Sequence, residues 1–108
     1  MAKDPNLFIA PPLGFVLDAP HPGALLADEI AARGLTAHAL ALKLRVPANR
    51  ITEIVNARRG ITPETALRLS RYLGTSAKFW MGLQVAFDLA QARGKVGAII
   101  DEEVEKAA

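Results

Sequence analysis

The stretch Leu35-Thr-Ala-His-Ala-Leu-Ala-Leu-Lys-Leu-Arg-Val-Pro-Ala-Asn-Arg-Ile-Thr-Glu-Ile-Val-Asn-Ala-Arg-Arg-Gly-Ile61 holds two short helical patterns that meet at a tight turn. Thr36 stands before the first, where a hydroxyl can accept a hydrogen bond from an orphan backbone N–H, and Leu40, Ala41 and Leu44 then point to one face. Arg45 and Val46 interrupt the pattern, and Pro47 restarts it. Proline suits the first turn of a helix, because the N–H it lacks would have had no partner there. On the second pattern Ile51, Ile54 and Val55 recur at the i, i+3, i+4 spacing that buries one side.

With each residue turning the helix by about 100°, the direction opposite those three is taken by Asn49, Glu53 and Asn56, flanked by Arg50 and Thr52. That outward face is short, polar and rich in amides. Two helices joined by so short a turn have the shape of a helix-turn-helix, whose second helix enters the major groove of DNA.

Outward from this stretch, the chain of 108 residues is long enough for one compact domain and too short for two. Hydrophobic residues make up 51% of it, enough to build a core, and most are Ala and Leu, which favours an all-α fold. There is no cysteine, so a disulfide framework and any thiolate metal site are excluded, and a cytoplasmic location is expected. No apolar run reaches the roughly 18 residues of a membrane span, and the opening Met-Ala-Lys-Asp-Pro-Asn does not lead into a signal peptide.

The net charge of +2 conceals an uneven distribution. Between Arg33 and Arg71 lie eight basic residues and two acidic ones, whereas from Lys95 onward four acids accompany two lysines. A basic middle followed by an acidic tail suits binding to a phosphate backbone through the middle alone. Charges that merely solvate helix faces would account for the same distribution.

In chain order, residues 1–20 carry four of the seven prolines among Phe8, Ile9, Leu13, Phe15, Val16 and Leu17, and read as an extended N-terminal arm. A first helix from Pro22 to Gly34 presents Leu25, Leu26 and Ile30. After the central pair, Ala57-Arg58-Arg59-Gly60 forms a basic loop in which the glycine lets the backbone turn. Thr62-Pro63-Glu64 starts a fourth helix with Ala66, Leu67, Leu69 and Leu73 inward, an i, i+4 pair between Glu64 and Arg68, and a stop at Gly74. Thr75-Ser76 opens a fifth helix that runs toward Arg93 and Gly94. Its apolar residues form two lines, Trp80, Leu83, Phe87 and Ala90 on one and Phe79, Ala86 and Leu89 on the other, so that one can pack on the core and the other on a second subunit. Residues 95–108 form an acidic tail that reads equally as a short helix or a strand.

The order of these motifs resembles a known family. His21-Pro22-Gly23, Val46-Pro47 leading to Asn49-Arg50-Ile51, Glu53-Ile54-Val55-Asn56, Arg59-Gly60-Ile61-Thr62, Ala66-Leu67-Arg68-Leu69, Leu73-Gly74-Thr75-Ser76, Phe79-Trp80 and Leu83-Gln84 followed by Phe87-Asp88-Leu89 are similar to the HigA antitoxins of bacterial toxin–antitoxin modules, a branch of the phage-repressor-like (XRE) helix-turn-helix proteins. The resemblance spans about residues 20–93 and implies a five-helix, lambda-repressor-like domain over 21–94 that forms a homodimer. It further implies binding to a palindromic double-stranded DNA operator in its own promoter, and inactivation of a HigB-like, mRNA-cleaving toxin. Three positions depart from the family pattern: Ala37 where a glutamine opens the second helix, Arg45 where the turn has glycine, and Phe87 in place of tyrosine.

By position, Pro47 to Asn56 would be the recognition helix, with Ala48, Asn49, Arg50, Thr52, Glu53 and Asn56 toward the bases. Asparagine can present a donor and an acceptor together to adenine, arginine can fork onto guanine, and glutamate can accept from cytosine N4. Ala37, Lys43, Arg45, Pro47, Arg58 and Arg59 would meet phosphates, which fixes register without reading sequence. Phe79, Leu83, Ala86, Phe87, Leu89 and Ala90 would build the dimer contact. A stand-alone transcriptional regulator without a toxin, or an interaction module that has lost DNA binding, are the alternatives.

Catalysis has little support. The two histidines are isolated: His21 precedes a helix start, where it can cap, and His38 lies in the first turn of a basic helix. No His-x-x-x-His or Glu-x-x-His spacing occurs, so neither a metal nor any other cofactor is expected. Gln84 and Asp88, four residues apart, suit a side-chain hydrogen bond or a contact across the dimer.

Overall fold

The structure is a computed structural model that describes residues 19–107, so that the arm expected over 1–20 lies almost wholly outside the described residues. It consists of five helices: α1 (Pro22–Ala32), α2 (Ala37–Leu44), α3 (Ala48–Val55), α4 (Pro63–Leu73) and α5 (Ala77–Glu103). The all-α reading therefore holds, and no strand occurs among the described residues. Helix α3 packs against α2 and α1, α4 against α5 and α2, and α5 reaches back to α1.

Each helix start is set by local chemistry. The hydroxyls of Thr36, Thr62 and Ser76 accept from the N–H groups of Ala39, Thr65 and Phe79, three residues on, and the His21 Nδ1 accepts from Gly23 N–H at 2.9 Å. The capping role expected of His21 is thus realised. Pro63 occupies the first turn of α4 as its sequence context implied, but Pro47 stands one position before α3 as its cap and gives no side-chain bond.

The helix ends hold surprises. Leu35, Val46 and Arg58 N–H groups donate five residues back, to the carbonyls of Ile30, Ala41 and Glu53, which is the closure of a Schellman end. The residue that must turn left-handed is Gly34 after α1, but Arg45 (φ 61°) after α2 and Ala57 (φ 59°) after α3. Gly60 was expected to turn the basic loop; its φ is ordinary, and Ala57 makes the turn instead.

The core gathers Leu26, Ile30, Leu40, Leu44, Ile51, Ile54, Ile61, Leu69, Leu73 and Trp80 from all five helices and the loop before α4. Trp80 is fully buried and donates its indole N–H to the Thr75 hydroxyl at 2.7 Å, which satisfies the one polar atom it brings inside. Leu67, expected inward, is 63% exposed, because α4 buries the side that carries Thr65, Ala66, Leu69 and Leu73 and leaves Leu67 to solvent. Helix α5 does not stop at Gly94 but continues to Glu103. A glycine inside a helix costs only about 1 kcal/mol, and the residues on either side sustain the helix across it.

Candidate nucleic-acid interface

Burial of Ile51 and Ile54 fixes the rotation of α3, and Ala48, Asn49, Thr52 and, at its C-cap, Asn56 are left exposed in consequence. Glu53 and Arg50 are half-buried at the border of that surface. The residues expected to face bases are therefore on one helix, and they are not independent. The Glu53 Oε1 accepts from the Arg59 Nε at 2.7 Å, and its Oε2 accepts from the Asn49 Nδ2 at 3.3 Å. Arg59 thus folds back from the loop onto the middle of α3. Arg58 beside it is exposed, with no side-chain hydrogen bond among the described residues.

The loop that carries these arginines is held from behind. Gln84, 8% exposed on α5, accepts from the Ile61 N–H at 2.7 Å and donates to the Asp88 Oδ1 at 2.9 Å. A Cβ on Gly60 would lie 2.9–3.0 Å from the Gln84 amide. Glycine is needed there so that this amide can come close, and the Gln84–Asp88 pair is an intramolecular bond that orients it.

The turn between α2 and α3 is held in the same manner. Arg68 of α4 donates to the Leu44 carbonyl at 2.8 Å, which satisfies an orphan oxygen at the end of α2, and it also pairs with Glu64 at 3.0 Å as the spacing implied. No sequence signal marks Gln84 or Arg68 as positioning α3, since each acts on backbone more than 20 residues away.

The residues expected at phosphates are more dispersed. Ala37 opens α2 with its side chain packed toward the core, so that only its backbone N–H and the positive end of the helix remain for an anion. Lys43 and Arg45 lie at the other end of α2, where with Leu67, Arg68, Arg71 and Tyr72 they line a shallow cavity of about 450 Å³. The cavity places them beside side chains of α4. Pro47 is exposed ahead of α3.

Of the residues expected between subunits, Phe79 and Leu83 pack against the core, Ala90 is buried, and Phe87 is half-buried with its ring edge-to-face on His21 at 4.8 Å. Ala86 is half-buried, and Leu89 is 51% exposed. With Leu89 stand Val85, Val96, Ile99 and Ile100, all at least 40% exposed and spaced to form one stripe along α5.

Among the described residues no group of three histidine, acidic or cysteine side chains is placed to hold a metal ion, and no helix is long and apolar enough to cross a membrane.

The helix-turn-helix family pattern matches residues 26–80, which includes α2, the turn and α3 in full. The chain belongs to the helix-turn-helix family. This helix-turn-helix chain is 51% identical over 77 residues to virulence-associated protein I of Dichelobacter nodosus, a match that covers 70% of this chain and 71% of that protein. Among solved structures it is similar to a HigA-family addiction module antidote protein of Coxiella burnetii, with 42% identity, a TM-score of 0.79, and coverage of 82% and 98% of the two chains. The antitoxin HigA of Pseudomonas aeruginosa, solved with the higBA promoter, is 40% identical, with a TM-score of 0.81 and coverage of 84% of this chain and 100% of the other. The likeness to HigA antitoxins drawn from the sequence motifs thus extends to the backbone of nearly the whole described region, and a helix-turn-helix protein of this kind is a regulator rather than an enzyme.

Proposed function

We propose that this protein is a DNA-binding antitoxin that acts as a homodimer, binds a palindromic operator in its own promoter and holds a HigB-like, mRNA-cleaving toxin inactive. The observation that carries the reading is the exposed face of α3, where Asn49, Arg50, Thr52, Glu53 and Asn56 surround the middle of a helix whose apolar side is locked in the core. Support comes from the HigA relative solved on promoter DNA. The left-handed Arg45 supports it too: the family's usual glycine is absent, yet the turn keeps a backbone geometry glycine would adopt, so α3 keeps its place after α2.

In this reading Asn49 and Asn56 address adenines and Arg50 a guanine, while Arg58, the α2 N-terminus at Ala37, and Lys43 and Arg45 contribute positive charge toward phosphates. Two such helices, roughly 34 Å apart in a two-fold dimer, reach successive major grooves on one face of the duplex. Leu89, with Val85, Val96, Ile99 and Ile100, supplies an apolar stripe for the second copy.

The test is a fluorescence titration against the DNA upstream of the gene at two salt concentrations, with an Arg50→Ala variant alongside. Tight binding that weakens steeply with salt and loses about 1–3 kcal/mol in the variant is expected. Binding no stronger than to unrelated DNA refutes the repressor reading.

A further inference from the structure

Glu53 is placed to accept from cytosine, but both of its carboxylate oxygens are already engaged, one by the Arg59 Nε and the other by the Asn49 Nδ2. What it leaves free on each partner is informative. Arg59 is held through Nε, so that the two Nη groups at the end of its guanidinium remain as a fork. Asn49 keeps its Oδ1 and its second amide hydrogen, the acceptor and donor that adenine requires. A guanidinium tied to a carboxylate on the recognition helix is also a poor phosphate anchor, because the pair is neutral. It is instead a well-ordered donor pair, with less freedom to lose on binding.

We propose that Arg59 reads a guanine in the operator through its two Nη groups, and that Glu53 is a positioning residue for Arg59 and Asn49 rather than a reader of cytosine. This rests on the DNA-binding function proposed above and reassigns Arg59 from the phosphates to the bases. Arg58, with no side-chain partner among the described residues, is left as the phosphate anchor of the loop.

The experiment is a binding panel of the full chain against its upstream operator and every single base-pair substitution of it, at two salt concentrations, for the wild type, Arg59→Lys, Glu53→Gln and the double variant. Arg59→Lys keeps the charge and removes the fork. It is expected to lose about ten-fold preference at one G·C pair, with the salt dependence unchanged and the other positions read as before. Replacing that guanine by 7-deazaguanine should cost the wild type a similar factor and the Lys variant little. Glu53→Gln should weaken the same preference and add nothing at that G·C pair in the Arg59→Lys background, while relaxing the adenine preference that Asn49 carries.

Three results overturn the proposal. If Arg59→Lys reads every position as the wild type does, Arg59 is a backbone anchor. If Glu53→Gln relaxes a preference for cytosine in the Arg59→Lys background, Glu53 reads a base itself. A wild-type chain that binds no operator removes the DNA-binding function and this inference with it, and that failure is distinguished by appearing before any variant is made.

Discussion

Gly23 is the residue at which the smallest change carries the largest structural consequence. A Cβ there would clash with the Ile54 carbonyl oxygen, where α1 crosses α3, and backbone cannot yield as a flexible side chain can. Gly23→Ala is therefore expected to destabilise the fold by about 3 kcal/mol, at the upper end of the overpacking range. In thermal unfolding that is roughly a 12–24 °C fall in midpoint for a domain of this size. Arg45 and Ala57 present the opposite case. Each holds a left-handed conformation that costs an L-residue roughly 1–2 kcal/mol, against about 0.5–1 kcal/mol of extra unfolded-state entropy for glycine. Arg45→Gly and Ala57→Gly should each raise stability by about 0.5–1 kcal/mol, read as a higher denaturant midpoint with an unchanged slope. A lower midpoint in both would mean that these ends do not carry the strain their φ angles imply.

At the scale of elements, what was legible in the sequence was what is local. Thr36, Thr62 and Ser76 announce helix starts because a cap involves residues three apart, and the pattern Ile51, Ile54, Val55 announces the buried side of α3 because a helix repeats within four. Gly60 was readable as a special position, but not its reason, because the group that needs the room is Gln84, on another helix. The polar face of α3 was legible as a set of residues, while the engagement of Glu53 was not, since Arg59 returns to it from a loop with no periodicity to betray the contact. Gln84 shows what such distant contacts contribute. Its loss strands the buried Ile61 N–H, and Gln84→Ala should cost about 1–3 kcal/mol while leaving a space beside Gly60. Asp88→Asn, which retains an oxygen for the Gln84 amide at an exposed position, should cost under 0.5 kcal/mol. Chemical denaturation of both variants separates a main-chain clamp from an incidental contact; equal small losses would show that the loop holds itself.

For the whole molecule, the long α5 joins a small core to a surface the core does not use. The segment from Gly94 onward is mostly exposed, and Val96, Ile99 and Ile100 on it extend the line begun by Val85 and Leu89. Apolar side chains in such a row are costly to leave in water, and covering the half of Leu89 or Ile99 that is still exposed gains about 0.7–1.5 kcal/mol each. A charge placed in that row acts on association without disturbing the monomer, because these residues are exposed. If the protein forms the proposed homodimer through this row, Leu89→Asp combined with Ile99→Asp should leave helicity by circular dichroism unchanged and shift sedimentation equilibrium from dimer to monomer at micromolar concentration. Operator binding should fall in step, since a single α3 reaches one half-site and loses the effective concentration that links it to the second. A loss of 10²-fold or more is expected at the full operator, with little change at an isolated half-site. If the double variant stays dimeric, the second copy meets another surface. If it is monomeric yet binds the full operator as tightly as before, the two-fold arrangement is not what gives this protein its affinity.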